Sequence, residues 1–329
     1  MKKLINSPAN IVNEMVDGLV SSYPQLLDRI DDSQIIIRKN LPSDKVAIIS
    51  GGGSGHEPSH AGFVGQGMLT AAVCGQVFTS PTPDQIFKAI KTADSGKGVF
   101  LIIKNYSGDI MNFEMAKDMA EMEGINVESC IVDDDIAVEN STYTQGKRGV
   151  AGTILVHKIL GAASEQGASL DEIKQLSNQI IPNIKTIGVA FSSATVPEVG
   201  KPGFVLADDE IEYGVGIHGE PGYRREKLQP SKQLANELIS KLKSAFCFQK
   251  RSHYAVLING LGATPLMEQY VFANDVLKQL KEEDLNIVFT KVGNYMTAID
   301  MAGVSLTLMK IDDKSWLEKL NYPVITTAW

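Results

Sequence analysis

Behind the helix-start pair Ser7-Pro8, the apolar residues Ile11, Val12, Met15, Val16, Leu19 and Val20 recur at helical spacing and predict an amphipathic first helix. Val46-Ala47-Ile48-Ile49 is instead a continuous apolar run, broken by Ser50 and a glycine cluster. It predicts a buried strand that ends in a tight loop. A helix is expected from Pro83 to about Ala93. A second apolar strand follows over Val99–Ile103, closed by the polar segment Lys104–Asp109. A helix rich in Met, Ala and Glu over 112–122, a strand near 125–132, and helical stretches over 149–166 and 169–181 complete the first half. Past Pro182 the pattern predicts strands at 187–190, 254–258, 286–291 and 305–311, with helices over 231–243 and 266–281.

Strand, loop and helix repeated in that order point to parallel strands joined by crossover helices. The expected fold is α/β in two domains, 1–184 and 185–329, each a mainly parallel or mixed sheet flanked by helices. In such sheets ligands sit beyond the carboxyl ends of the strands. The glycine loop at 51 and the 104–109 loop both occupy that position, so a shared site is expected there.

Composition narrows the class. The chain has 329 residues, 43% hydrophobic and 21% charged, enough for a sizeable core and inconsistent with disorder. Its 31 basic and 39 acidic side chains leave a net charge of −8, so direct nucleic-acid binding or attraction to an anionic membrane is not expected. Three cysteines, Cys74, Cys130 and Cys247, lack CxxC spacing and suggest neither a disulfide framework nor a thiolate zinc site. The opening MKKLINSPAN lacks the apolar core of a secretory signal, and no run long enough to span a membrane follows. A cytoplasmic protein is expected.

Gly51-Gly52-Gly53-Ser54-Gly55-His56-Glu57-Pro58 brings bare backbone close to any ligand, yet it is neither a Walker loop nor a dinucleotide fingerprint. His56-Glu57-Pro58-Ser59-His60 matches the letters of a zinc-protease motif, but that motif needs both histidines on one helical turn, and Pro58 stands against it. No metal and no cofactor are expected. Of the five histidines, His157 reads as structural or solvent-facing and His253 as a surface residue, whereas His218 is flanked by glycines that expose its ring. Asp133-Asp134-Asp135 reads as a solvated or structural loop rather than a magnesium site, and Met267 and Met296 as core or interface filler.

Eight ordered motifs then carry a resemblance: GGGSGHEP at 51–58, GQGML at 65–69, FTSPTPDQI at 78–86, IIKNYSGD at 102–109, VDDDIAV at 132–138, KRGVAGT at 147–153, ADDEIEYGVGIHGEPG at 207–222 and GLGATPLMEQY at 260–270. Together they resemble the dihydroxyacetone-binding subunit family of dihydroxyacetone kinases. The resemblance implies that His218 adds through a ring nitrogen to the ketone carbon of dihydroxyacetone, giving a hemiaminal. Gly53, Ser54, Gly55, His56, Lys104 and Asp109 would hold the ligand, and His56 and Asp109 would serve as the acid/base pair for the hydroxyl that receives phosphate. It also implies a homodimer.

The family's ATP-dependent kinases carry a nucleotide-binding helical domain after this unit, and no such domain precedes Trp329, so no kinase activity is expected from this chain alone. Two roles follow. One is a ligand-sensing coactivator that works with a DNA-binding transcription regulator of a dihydroxyacetone operon. The alternative is the substrate subunit of a phosphoenolpyruvate-dependent kinase, partnered by a nucleotide-bearing subunit. Three departures from the family pattern, Gln76, Ala194 and the 244–253 segment with Phe246 and Phe248, read as drift in a chain relieved of docking a kinase subunit. They favour the coactivator.

Overall fold

The computed structural model describes residues 2–139 and 144–329. Its first sheet contains β1 (Leu27–Arg29), β2 (Ile35–Arg38), β3 (Ala47–Ser54), β4 (Ala71–Val77), β5 (Val99–Lys104) and β6 (Val127–Val132), in the order β1-β2-β4-β3-β5-β6. β4, β3, β5 and β6 run parallel, while β2 joins β4 and β1 joins β2 antiparallel. The side-chain alternation of a strand sends Ile48 and Ile102 to one face and Ile49 and Ile103 to the other. α2 (Pro83–Ala93) and α3 (Ser107–Met122) cover the face of Ile49 with Ile86, Ile90, Phe113 and Ala116. α1 (Ile11–Ser22), α4 (Thr153–Glu165) and α5 (Leu170–Ile180) cover the face of Ile48.

The second sheet contains β7 (Ile184–Ala190), β8 (Glu210–Tyr213), β9 (Arg224–Lys227), β10 (His253–Gly260), β11 (Asn286–Gly293) and β12 (Gly303–Lys310), in the order β11-β10-β12-β7-β8-β9. Only β10 and β11 pair in parallel, so this sheet is mixed and mostly antiparallel. Tyr254, Val256 and Ile258 face α6 (Ser231–Phe246) and α7 (Leu266–Glu282), whereas Ala255 and Leu257 turn the other way into the core that holds α4. α8 (Lys314–Leu320) closes that core with Trp316 and Leu320. Pressed on from both sides, α4 is buried from Thr153 to Ser164, which fits its apolar residues lying all round the helix.

Two expectations need correction. β3 does not stop at Ser50 but runs through the glycines to Ser54, because Gly51, Gly52 and Gly53 pair with Val73, Cys74 and Gly75 of β4. A side chain at Gly51 would meet the Val73 carbonyl oxygen at 2.5 Å, so the glycines serve sheet packing as well as the loop. α3 starts at Ser107 rather than 112, which puts Asp109 in its first turn.

Candidate functional site

The carboxyl ends of the parallel neighbours β3 and β5 bring the two sequence loops together. Lys104, the last residue of β5, is fully buried and its Nζ lies 3.3 Å from Asp109 Oδ2. Asp109 Oδ1 accepts a hydrogen bond from Ser80 Oγ, and the carboxylate gains from its place at the amino end of α3. Gly52, at φ +147°, makes room: a Cβ there would stand 2.5 Å from Lys104 Nζ.

His56 follows β3 and is wholly buried. Its Nδ1 lies 2.7 Å from the carbonyl oxygen of Thr297 and its ring stacks on Phe78 at 5.0 Å. His218 arrives from the second sheet, on the loop after β8. Its Nδ1 is 3.1 Å from Glu220 Oε1, and its backbone N–H donates to Glu220 Oε2 at 2.9 Å. The two histidines meet through Nε2 atoms 3.1 Å apart. A carbonyl and a carboxylate only accept, so each Nδ1 carries a proton and each Nε2 presents a lone pair. Their contact is a hydrogen bond when the pair shares one further proton.

Tyr106 and Phe78 stand edge-on to the His218 ring at 4.6 and 5.1 Å, forming an aromatic collar. Gly53, Phe78, Ser80, Tyr106, Asp109 and His218 all line one cavity of about 680 Å³. Burial, then the charges of His218 and Lys104, hold His56 well below the usual imidazole range. Burial opposes ionisation of Glu220, but its hydrogen bond to His218, the His218 charge and the Arg148 guanidinium outweigh it and hold the carboxyl at about 2. His56, His218 and Lys104 thus bring three nitrogen bases to one site, and of these His218 lines the cavity. Lys104 is engaged in an ion pair with Asp109, whereas His218 has a lone pair on Nε2.

Of the residues expected here, Gly53, His56, Lys104, Asp109 and His218 converge. Ser54 and Gly55 do not: Ser54 Oγ donates to the Gly75 carbonyl at 2.7 Å, Gly55 N–H donates to the Glu57 carboxylate, and both residues line a separate pocket of about 140 Å³ beside α1. Sequence reasoning named neither Phe78, Ser80 and Tyr106, although each lies in a quoted motif, nor Glu220 and Thr297. Glu220, two residues past His218, had a signal in its spacing; Thr297 had none.

The remaining expectations resolve locally. His56 to His60 form a turn rather than a helix, and His60 Nδ1 faces Ser50 Oγ at 3.4 Å. His157 is buried beside His60, with ring centroids 5.0 Å apart, and His253 is exposed. Asp134 receives the backbone N–H groups of Val150 and Gly152, and Asp135 pairs with Arg148, so the aspartate run is structural at those two positions. Met296 is core, while Met267 is exposed. Cys74 and Cys130 are buried and Cys247 exposed, all three as free thiols.

Residues 17–328 match the family described as the Dak1 domain. The chain belongs to the Dak1 family. It is 66% identical, over all of this chain and 99% of the relative, to "PTS-dependent dihydroxyacetone kinase, dihydroxyacetone-binding subunit DhaK" of Lactococcus lactis. It is 48% identical, over 99% of this chain and all of the relative, to "DhaKLM operon coactivator DhaQ" of the same organism. Among solved structures, it superposes on "Dihydroxyacetone kinase operon co-activator Dha-DhaQ" with a TM-score of 0.92 at 47% identity, covering 96% of this chain and 98% of that one. The native dihydroxyacetone kinase of C. freundii gives 0.91 at 36% identity, covering all of this chain and 60% of the kinase. The Dak1 fold, two mixed sheets flanked by helices, is therefore that of this chain.

Proposed function

We propose that this Dak1 protein is the dihydroxyacetone-binding subunit of a phosphoenolpyruvate-dependent dihydroxyacetone kinase and holds its substrate as a hemiaminal on His218. The observation that carries substrate capture is the oriented imidazole: Glu220 fixes Nδ1 at 3.1 Å, leaving Nε2 as the nucleophilic atom in a cavity that also contains Asp109. The lone pair of Nε2 forms the bond to the ketone carbon, and the carbonyl π pair moves to oxygen. As the His218 lone pair enters that bond, the proton shared between the two Nε2 atoms moves to His56, which burial keeps a weak base, and passes on to that oxygen, giving the hydroxyl. The positive charge left on the His218 ring faces the Glu220 carboxylate. His56, now neutral, and Asp109 are then bases for the hydroxyl that takes the phosphoryl group. Glycerol offers the same hydroxyls but no electrophilic carbon, so it is rejected by chemistry rather than by shape.

The kinase role replaces the coactivator reading favoured on sequence alone. Identity is 66% to the kinase subunit and 48% to the coactivator of one organism. The departures that favoured the coactivator also have local explanations. Phe246 and Phe248 pack against Tyr254 and the second core, with ring centroids 5.6 and 5.5 Å from Tyr254. Gln76 is exposed at the end of β4, and Ala194 is a small buried residue near Val215. The same reading includes a unit over 1–184 carrying His56, Lys104 and Asp109, a unit over 185–329 carrying His218, a homodimer, a nucleotide-bearing partner subunit and a cytoplasmic setting. Among the described residues no helix is long and apolar enough to cross a membrane.

Reconstitution tests the role. With a purified nucleotide-bearing subunit, its phosphocarrier and phosphoenolpyruvate, turnover of dihydroxyacetone is expected. No turnover, together with dihydroxyacetone-dependent binding to a DNA-binding regulator, would return the assignment to the coactivator.

A further inference from the structure

The KRGVAGT and VDDDIAV motifs have no part in the chemistry above, yet they place a buried charge behind it. Arg148 is fully buried. Its Nε donates to Asp135 Oδ2 at 2.8 Å, and its Nη2 donates to the Gly214 carbonyl oxygen at 2.7 Å. Its third nitrogen, Nη1, has no hydrogen-bond partner among the described residues. That atom and Glu220 flank the same point, since a Cβ on Gly216 would lie 2.7 Å from Arg148 Nη1 and 2.0 Å from Glu220 Oε2, and the guanidinium acts on the carboxylate as a nearby charge rather than through a direct ion pair. Both Glu220 oxygens are already committed to His218, one to its ring and one to its backbone.

A carboxylate with 3% exposure needs a compensating cation, and Arg148 is the buried guanidinium beside it. Arg148 also grips the backbone at the start of the His218 loop. It belongs to the segment leading into α4, on the first-sheet side, whereas Gly214, His218 and Glu220 follow β8 of the second. We propose that Arg148 is a positioning residue for covalent capture: through Glu220 it fixes the His218 ring with Nδ1 protonated, and through Gly214 it seats the His218 loop against the first-sheet half of the site. This rests on the hemiaminal reading only for its consequence; the tautomer is a property of the free protein. Asp135 supports the arrangement by pairing with Arg148, and Gly216 is required because any side chain there would collide with both charged groups.

The test compares the wild-type protein with Arg148→Met/Asp135→Asn, which removes the guanidinium without stranding the aspartate, and with Arg148→Lys. Nitrogen-15 NMR of labelled histidine reads the His218 tautomer in the free protein, and the rate of adduct formation with dihydroxyacetone is measured separately. In the double variant a mixture of His218 tautomers and a rate lower by about tenfold or more are expected, and lysine, a point charge without the planar fork, should restore only part of each. A folded double variant with the wild-type tautomer and a rate within about twofold of wild type would overturn the proposal. If the double variant does not fold, Arg148→Lys decides it by the same two readouts, an unchanged tautomer and rate again overturning it. A wild-type protein that forms no adduct would refute the hemiaminal reading instead, while the tautomer comparison would still judge Arg148.

Discussion

Glu220 is a carboxyl whose folded-state pKa lies at about 2 against an ordinary 4.5. A group depressed in this way contributes stability that is fully present above 4.5 and is lost as pH falls toward 2. The difference corresponds to roughly 3 kcal/mol. The stability gap between wild type and Glu220→Gln, measured by denaturant unfolding, should therefore be constant near neutrality and shrink between pH 4.5 and 2. A gap unchanged across that window would contradict the stabilised Glu220 carboxylate. Lys104 gives a second prediction at this scale. Lys104→Met strands a buried carboxylate and should cost about 3–5 kcal/mol, and adding Asp109→Asn should recover much of it. His218, His56, Lys104 and Asp109 were legible because each sits among glycines or at a strand end with chemistry attached. Ser54 and Gly55 share the motif of Gly53 and His56 but line the neighbouring pocket, because a motif does not say which way each residue of a strand end faces. Arg148 and Thr297 were illegible because the site residues they hold, Gly214 and His56, lie 66 and 241 residues away.

Elements obey packing before propensity. Gly161 lies in the interior of α4, where alanine is the better helix former by about 1 kcal/mol. Yet a Cβ there would meet Met68 Cα at 2.4 Å and its carbonyl oxygen at 2.5 Å. Backbone cannot yield as a flexible side chain does, so Gly161→Ala should destabilise by about 1–2 kcal/mol on urea unfolding. Ser169 shows the converse on an exposed helix end. It forms a capping box with Glu172, and Ser169→Ala should cost about 1 kcal/mol. The central strands β3, β5 and β10 were readable as continuous apolar runs. β4 was not, since AAVCGQV alternates nothing, and β9, Arg-Arg-Glu-Lys, is a polar edge strand without a hydrophobic face. β1 has three residues, too short to set a period.

For the whole molecule, the sequence pattern predicted two halves but not how they share a core. One cluster unites Ile48, Phe100 and Ile102 of the first sheet with Ala255, Leu257 and Met309 of the second, around α4 and Trp316. The site likewise spans both halves through the His56–His218 contact. Unfolding should accordingly be one cooperative transition, with far-ultraviolet circular dichroism and the fluorescence of Trp316 and Trp329 giving coincident midpoints. Separate midpoints would show that the halves are energetically independent. The central claim is that this shared site binds dihydroxyacetone through a bond from His218. Carbon-13 NMR with ligand labelled at the ketone carbon and nitrogen-15 histidine in the protein tests it most directly. A tetrahedral carbon coupled through one bond to a histidine nitrogen, absent in His218→Ala, is the predicted result; a bound ligand that keeps its carbonyl carbon in the wild-type protein would contradict it.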